Sequence, residues 1–158
     1  MPRALVIAVI GAGDAPADVC DLAREVGREI ASRGAVLING GRGGVMRAAA
    51  EGARLAGGHV IGIIPGYNRN EGNEFSEFVI ATGMGEARNA IIIASCDAVI
   101  ALAGEGGTLA EIGFAMKMKR PLVTLKSWPQ IEGLTRADSP REAVELAFSL
   151  AAGVKSSR

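Results

Sequence analysis

The stretch AVIALAGEGGTLAEIGFA, residues Ala98 to Ala115, decides the fold. An apolar run, Ala98 to Leu102, ends in a loop holding Gly104, Gly106 and Gly107, and Thr108 opens an amphipathic segment that carries Glu111. A strand, a bend of glycines and a helix start make an anion cradle. The glycines let a ligand approach the backbone, and the free N–H groups of the first helical turn point at it. Cα–Cβ bonds lean toward a helix N-terminus, so Glu111 is expected to reach back over the loop.

Working outward, the same alternation recurs along the chain. Leu5 to Ile10 reads as a strand. Ala15 to Ser32 has helical spacing, with Val19, Leu22, Val26 and Ile30 on one stripe and Gly34 as its stop. Ala35 to Ile38 is a second strand and Val45 to Ala56 a second helix, closed by Gly57 and Gly58. Val60 to Ile64 is a strand stopped by Pro65, and Glu77 to Ala81 a short one. Glu86 to Ser95 reads as a helix, although Ile91, Ile92 and Ile93 also suit a strand. Asp97 to Leu102 is a strand, Thr108 to Met118 a helix broken at Lys119-Arg120-Pro121, and Leu122 to Leu125 a strand. The last helix starts at Ser139, with Pro140 in its first position and Glu142 completing a capping-box pattern. Continuous apolar strands joined by helices predict an α/β, Rossmann-like, doubly wound and mainly parallel sheet with helices on both faces. Residues 1–153 are expected to form one nucleotide-binding domain, with Val154 to Arg158 a frayed tail.

Composition narrows the classes. At 158 residues the chain can bury a real core. Its 17 basic and 17 acidic residues balance, which argues against a nucleic-acid or membrane-surface field. Cys20 and Cys96 lack metal-ligand spacing and His59 stands alone, so no metal site is expected; His59 reads as a partly buried strand-edge residue. Arg3 followed by Ala4 to Ala12 has some character of a signal peptide, but the run fits a first strand feeding a Gly-Ala-Gly turn. No stretch approaches the roughly 20 apolar residues of a membrane span, and a cytoplasmic protein is expected.

Twelve of the 22 glycines fall in the strand-to-helix turns: Gly11 and Gly13; Gly40, Gly41, Gly43 and Gly44; Gly66; Gly83 and Gly85; Gly104, Gly106 and Gly107. In a parallel sheet these turns share the carboxyl edge, where open α/β folds bind ligands. Three glycine loops on one rim predict a nucleotide or another phosphorylated molecule in close contact with backbone. A dinucleotide fingerprint at Gly11-Ala12-Gly13 is incomplete, because Pro16 takes the third glycine's place and Asn39-Gly40 replaces the acidic ribose partner. Four glycines in Gly40 to Gly44 are costly in entropy and point to phosphate or ribose contact, with Met46 beside them; tight packing is the alternative. Arg42 is placed either to pair with a phosphate or in solvent. Thr108 and Glu111 also fit a capping box, so capping and catalysis are both open. Arg88-Asn89 precedes the apolar segment Ala90 to Ala94, which suits either the interior or an interface between copies. A cation there calls for a carboxylate or a ligand phosphate as partner, unless it simply faces water. The loop GYNRNEGNEFSE, residues 66 to 77, reads as a lid or a surface loop.

With these residues in view the chain resembles a known family. Thr82-Gly83-Met84-Gly85-Glu86-Ala87-Arg88-Asn89, then Asp97 to Leu102, then Gly104-x-Gly106-Gly107-Thr108-x-x-Glu111 are similar to the LONELY GUY (lysine-decarboxylase-like) superfamily, and most to its small bacterial branch similar to molybdenum-cofactor carrier proteins. The resemblance spans roughly Leu5 to Leu125. It implies a Rossmann-like fold and a homodimer or higher homo-oligomer. Family phosphoribohydrolases split the N-glycosidic bond of nucleoside 5′-monophosphates into base and ribose 5-phosphate. Carried over, Glu111 is the catalytic carboxylate and Arg88 its partner, with Asn89, Gly106, Gly107 and Thr108 at the ligand; no cofactor is required. The family's loop proline is Ala103 here, its second glycine is Glu105, and Asn89 stands where the hydrolases often carry lysine. A Glu105 carboxylate roughly 4 Å from a phosphate would repel it by about 1 kcal/mol in water and about 4 at intermediate dielectric. These departures favour a non-catalytic carrier or sensor, for example of a molybdopterin-type cofactor, over a hydrolase.

Overall fold

The structure is a computed structural model and describes residues 1–156. Among them are seven strands: β1 Val6–Ile10, β2 Val36–Asn39, β3 Val60–Ile64, β4 Phe78–Ala81, β5 Ala98–Ala101, β6 Leu122–Leu125 and β7 Thr135–Ala137. They form one sheet in the order β4-β3-β2-β1-β5-β6-β7, every pair parallel. The helices are α1 Ala17–Ser32, α2 Gly44–Leu55, α3 Asn89–Ala94, α4 Gly106–Lys117 and α5 Pro140–Ser156. This is the expected Rossmann-like α/β fold, and its strand order reverses between β1 and β5.

Burial on both faces explains the unbroken apolar strands. Ile7 and Val9 of β1 join the core under α1, α2 and α5, while Ala8 and Ile10 join the layer under α3 and α4. Ile92 and Ile93 are fully buried in that second layer, so the middle of Ala90 to Ala94 belongs to this chain's own interior. On the other face α1 and α2 touch through backbone: a Cβ on Gly27 would overlap the Ala49 carbonyl oxygen, and one on Gly52 the Arg24 carbonyl oxygen. None of the helices among the described residues is long and apolar enough to cross a membrane.

Five local readings change. The segment expected as one helix from Glu86 divides into a 3-10 turn, Gly85–Arg88, and α3. α4 starts at Gly106, two residues before Thr108, and its N-cap Glu105 makes no side-chain capping bond; Thr108 and Glu111 are therefore not a capping box. β7 had no apolar signature, and it follows β6 through residues 126–134 without a helix. α5 runs on through Ser156, past the point where fraying was expected at Val154; residues 157 and 158 lie outside the described ones. The capping at its start holds, in variant form: Ser139 Oγ accepts from the Glu142 N–H at 3.2 Å, and Glu142 Oε2 accepts from the Asp138 N–H at 2.8 Å. His59 is exposed rather than partly buried, its Nδ1 2.8 Å from Glu77 Oε2.

Candidate functional site

The strand-order reversal opens a crevice at the carboxyl edge, and the glycine loops beside it are tied together at one residue. The Ala12 N–H donates to Ala103 O, and Ala12 O accepts from the Val45 N–H, both at 2.9 Å. The turns after β1, β2 and β5 thus share two backbone hydrogen bonds. Asn39 stiffens the second turn: its Oδ1 accepts from the Gly41 N–H and its Nδ2 donates to Met46 O, both at 2.9 Å. That is why an asparagine ends β2 where a dinucleotide fold would carry an acid.

These loops enclose a cavity of about 400 Å³, within the range of small-ligand sites. It is lined by Gly11, Gly13, Gly40, Gly43, Met46, Arg88, Asn89, Gly107, Thr108 and Glu111 among the residues expected from the sequence. Four expected glycines are not among its walls. Gly41 has a left-handed φ of 69° and sits where a Cβ would lie 2.8 Å from Ile64 Cγ2. Gly44 has a φ of 57° and leaves room for the Ala12 carbonyl. Gly104 leaves room for the Thr108 side chain, and a Cβ on Gly106 would meet open space. The first three serve close packing against a strand, a loop and a neighbouring side chain, a need that looks like ligand contact in sequence because both exclude a Cβ. Ala12, Asp14 and Glu86 also line the cavity and were not singled out; each is adjacent, or nearly so, to a residue that was. Arg42 and Glu105 complete it. No residue of the 66–77 loop lines it. That loop instead braces the β2–α2 turn, with the Asn73 N–H donating to Gly41 O and Asn73 Nδ2 to Arg42 O.

Arg88 is only 6% exposed, so it is not a helix-end residue facing water. Its Nε donates to Ile63 O at 2.9 Å, and its Nη1 donates to Asn89 Oδ1 and lies 3.4 Å from Glu86 Oε2. Nη2 has no acceptor among the described residues and sits beside Gly40, where a Cβ would approach it to 3.0 Å. Across the first turn of α4, the N–H groups of Gly106, Gly107 and Thr108 precede the first helical hydrogen bond, which runs from Leu109 to Glu105 O. The buried Thr108 and Glu111 side chains make no hydrogen bond among the described residues. Burial pushes the Glu111 carboxyl up to about 8, with Arg88 pulling it down and Glu86 adding to the rise. The arrangement offers one cationic donor and a set of backbone donors to an anion, and beside them a carboxyl that is protonated at neutral pH.

Comparison with known proteins agrees with the fold. Residues 4–151 match the model of the SLOG cluster4 family. An uncharacterized protein of Archaeoglobus fulgidus is 44% identical over 147 residues, which cover 93% of this chain and 97% of the relative. A cytokinin riboside 5′-monophosphate phosphoribohydrolase of Mycobacterium tuberculosis is 34% identical over 128 residues, 75% of this chain and 68% of that enzyme. Among solved structures, the molybdenum cofactor carrier protein of Chlamydomonas reinhardtii superposes with a TM-score of 0.86 at 34% identity, covering 95% of this chain and 99% of that one. The resemblance read from the Arg88-Asn89 and Gly104 to Glu111 elements is thereby borne out, and the chain belongs to the SLOG cluster4 family.

Proposed function

We propose that the cavity binds a nucleotide or nucleotide-like phosphorylated ligand, with its phosphate at Arg88 Nη2 and the first turn of α4. The observation that carries this is the buried Arg88, which keeps a donor without an acceptor beside the glycines of the rim. A buried cation with an unused donor stabilises an incoming anion more than a solvated one does.

Such a site supports one of two uses. In the first, the protein hydrolyses nucleoside 5′-monophosphates, as the name of the Mycobacterium relative states for that enzyme. Departure of the base leaves an oxocarbenium-like ribose, which an ionised Glu111 would stabilise while orienting a water. In the second, it holds a phosphorylated pterin such as the molybdenum cofactor without turnover, the role in the name of the Chlamydomonas protein. Two features favour the second use. Burial holds the Glu111 carboxyl at about 8, so it is neutral at pH 7 and offers no negative charge to a ribosyl cation. Glu105 adds a carboxylate to the cavity wall.

The test is base release from a panel of nucleoside 5′-monophosphates by liquid chromatography, wild type beside Glu111→Gln. Release by wild type alone, rising as pH passes about 8, establishes hydrolysis with Glu111 as the working carboxylate. No release, together with a pterin or nucleotide retained through gel filtration, establishes the carrier. Failure of the protein to bind phosphate, nucleotide or pterin sinks both.

A further inference from the structure

The cavity already contains an anion of its own. Glu86 Oε2 lies 3.4 Å from Arg88 Nη1 and 3.5 Å from Asn89 Nδ2. The same oxygen is 3.9 Å from where a Cβ on Gly107 would stand, in the first turn of α4. One carboxylate oxygen therefore stands beside the guanidinium, the buried amide and the first turn of α4 together. The same guanidinium, through its Nη2, and the same helix start are assigned above to the ligand's phosphate.

Little holds the side chain there. The Glu86 side chain is 78% exposed, and both polar contacts are longer than the roughly 2.7–2.9 Å of a charge-assisted hydrogen bond. Its 3-10 turn follows Gly83 and begins at Gly85, with left-handed φ values of 62° and 59°. A Cβ on Gly85 would meet open space, so nothing packs against the turn at that point. The carboxylate can swing into solvent without breaking a strong bond or emptying a packed volume.

We propose that Glu86 is a specificity-determining residue: an internal carboxylate that occupies the anion position and admits ligands able to replace it with an anion of their own. This rests on the phosphate reading of the site. A ligand without a phosphate leaves Glu86 on Arg88 and gains nothing from that end of the cavity. A phosphorylated ligand displaces Glu86 and takes over Arg88, Asn89 and the α4 N-terminus, with its affinity reduced by the competition. The cavity wall then presents Asp14, Glu105 and Glu111 against Arg42 and Arg88.

The experiment titrates inorganic phosphate and adenosine 5′-monophosphate into full-length wild type, Glu86→Gln and Glu86→Ala by calorimetry, with adenosine as the neutral probe. Both substitutions remove a like charge next to the incoming anion, so phosphate and the monophosphate are expected to bind at least about tenfold tighter than to wild type. Adenosine is expected to change much less. Equal or weaker anion binding by both variants, with wild type binding normally, overturns the role of Glu86 and leaves the phosphate reading standing. Absence of anion binding by all three proteins overturns the phosphate reading and this proposal with it. The exposure of Glu86 keeps a folding defect from imitating either result, and circular dichroism of the variants verifies this.

Discussion

The Glu111 carboxyl and the Arg88 guanidinium share one cavity without a hydrogen bond between them. Arg88 commits Nε to Ile63 O and Nη1 to Asn89 and Glu86, and Glu111 is left 8% exposed with no hydrogen-bonding partner among the described residues. The charge of Arg88 pulls the Glu111 carboxyl down, yet burial outweighs it and holds the group at about 8. A buried carboxyl lacking direct hydrogen bonds takes up a proton rather than bear the cost of an unpaired charge.

That displacement makes stability depend on pH with a definite sign. The folded carboxyl titrates at about 8 and the unfolded one near 4.5. Below 4.5 both states carry the proton and the native state has its full stability. Between 4.5 and about 8 the unfolded chain releases the proton while the folded chain keeps it, so stability falls as pH rises, and above about 8 the loss is complete. Glu111→Gln cannot ionise. Its melting temperature should match that of wild type near pH 4.5 and exceed it by roughly 10 °C or more above pH 8. One unit of displacement is worth about 1.4 kcal/mol, and one kcal/mol moves a chain of this size by about 2–4 °C. Thermal unfolding across a pH series measures it; a gap that does not change with pH contradicts the assignment.

Arg88→Gln tests the coupling from the other side. Loss of the positive charge removes the main influence that lowers the Glu111 carboxyl, so its titration midpoint should move further upward. Carbon-detected NMR of the Glu111 carboxyl reads this directly. The same variant should bind inorganic phosphate at least about tenfold more weakly, since a hydrogen bond to a charged group contributes about 1.5–3 kcal/mol. A midpoint that stays put would mean that the two groups do not sense each other.

Gly44 and Gly106 looked alike in sequence and should behave oppositely. Gly44 has a φ of 57°, and a Cβ there would overlap the Ala12 carbonyl, which accepts from the Val45 N–H. Gly44→Ala should lower stability by at least about 1–2 kcal/mol from the left-handed backbone alone, with the clash added. Gly106 opens α4 with free space around its Cα. Gly106→Ala should stabilise by about 0.4–1 kcal/mol, because alanine narrows the unfolded ensemble. Thermal unfolding of the two variants gives shifts of opposite direction.

The central strands were legible because burial on both faces makes each an apolar run, and the glycine loops because turns at the carboxyl edge of a parallel sheet converge. β7 was not legible. Thr135–Ala137 has no apolar pattern, and Arg136 spends its donors on the carbonyls of Trp128 and Ile131 in the preceding loop. The start of α4 was misread because Gly106 and Gly107 are poor helix formers, and tertiary context overrides that preference. The family resemblance pairs Arg88 with Glu111; that they line one cavity without a hydrogen bond, with Glu86 beside Arg88, depends on side-chain geometry that spacing does not encode. Glycine patterning marked the rim but could not separate Gly40, which faces the cavity, from Gly41, which faces Ile64.

The closest test of the fold lies away from the cavity. α1 and α2 are both amphipathic by spacing, yet each carries a glycine in its middle, at a cost of about 1 kcal/mol relative to alanine. Gly27 and Gly52 face the partner helix so closely that a Cβ on either would overlap a carbonyl oxygen, of Ala49 and Arg24 respectively. Backbone cannot yield as the end of a flexible side chain does, so the helices would have to separate. Separation would reach the cavity, because α2 starts at Gly44 and its Val45 N–H holds Ala12. Gly27→Ala and Gly52→Ala should therefore each destabilise by about 1–3 kcal/mol or more, as overpacking does, despite a gain in helix propensity. Denaturant unfolding of each variant measures this. A neutral or stabilising result at both positions would show that α1 and α2 do not meet through backbone.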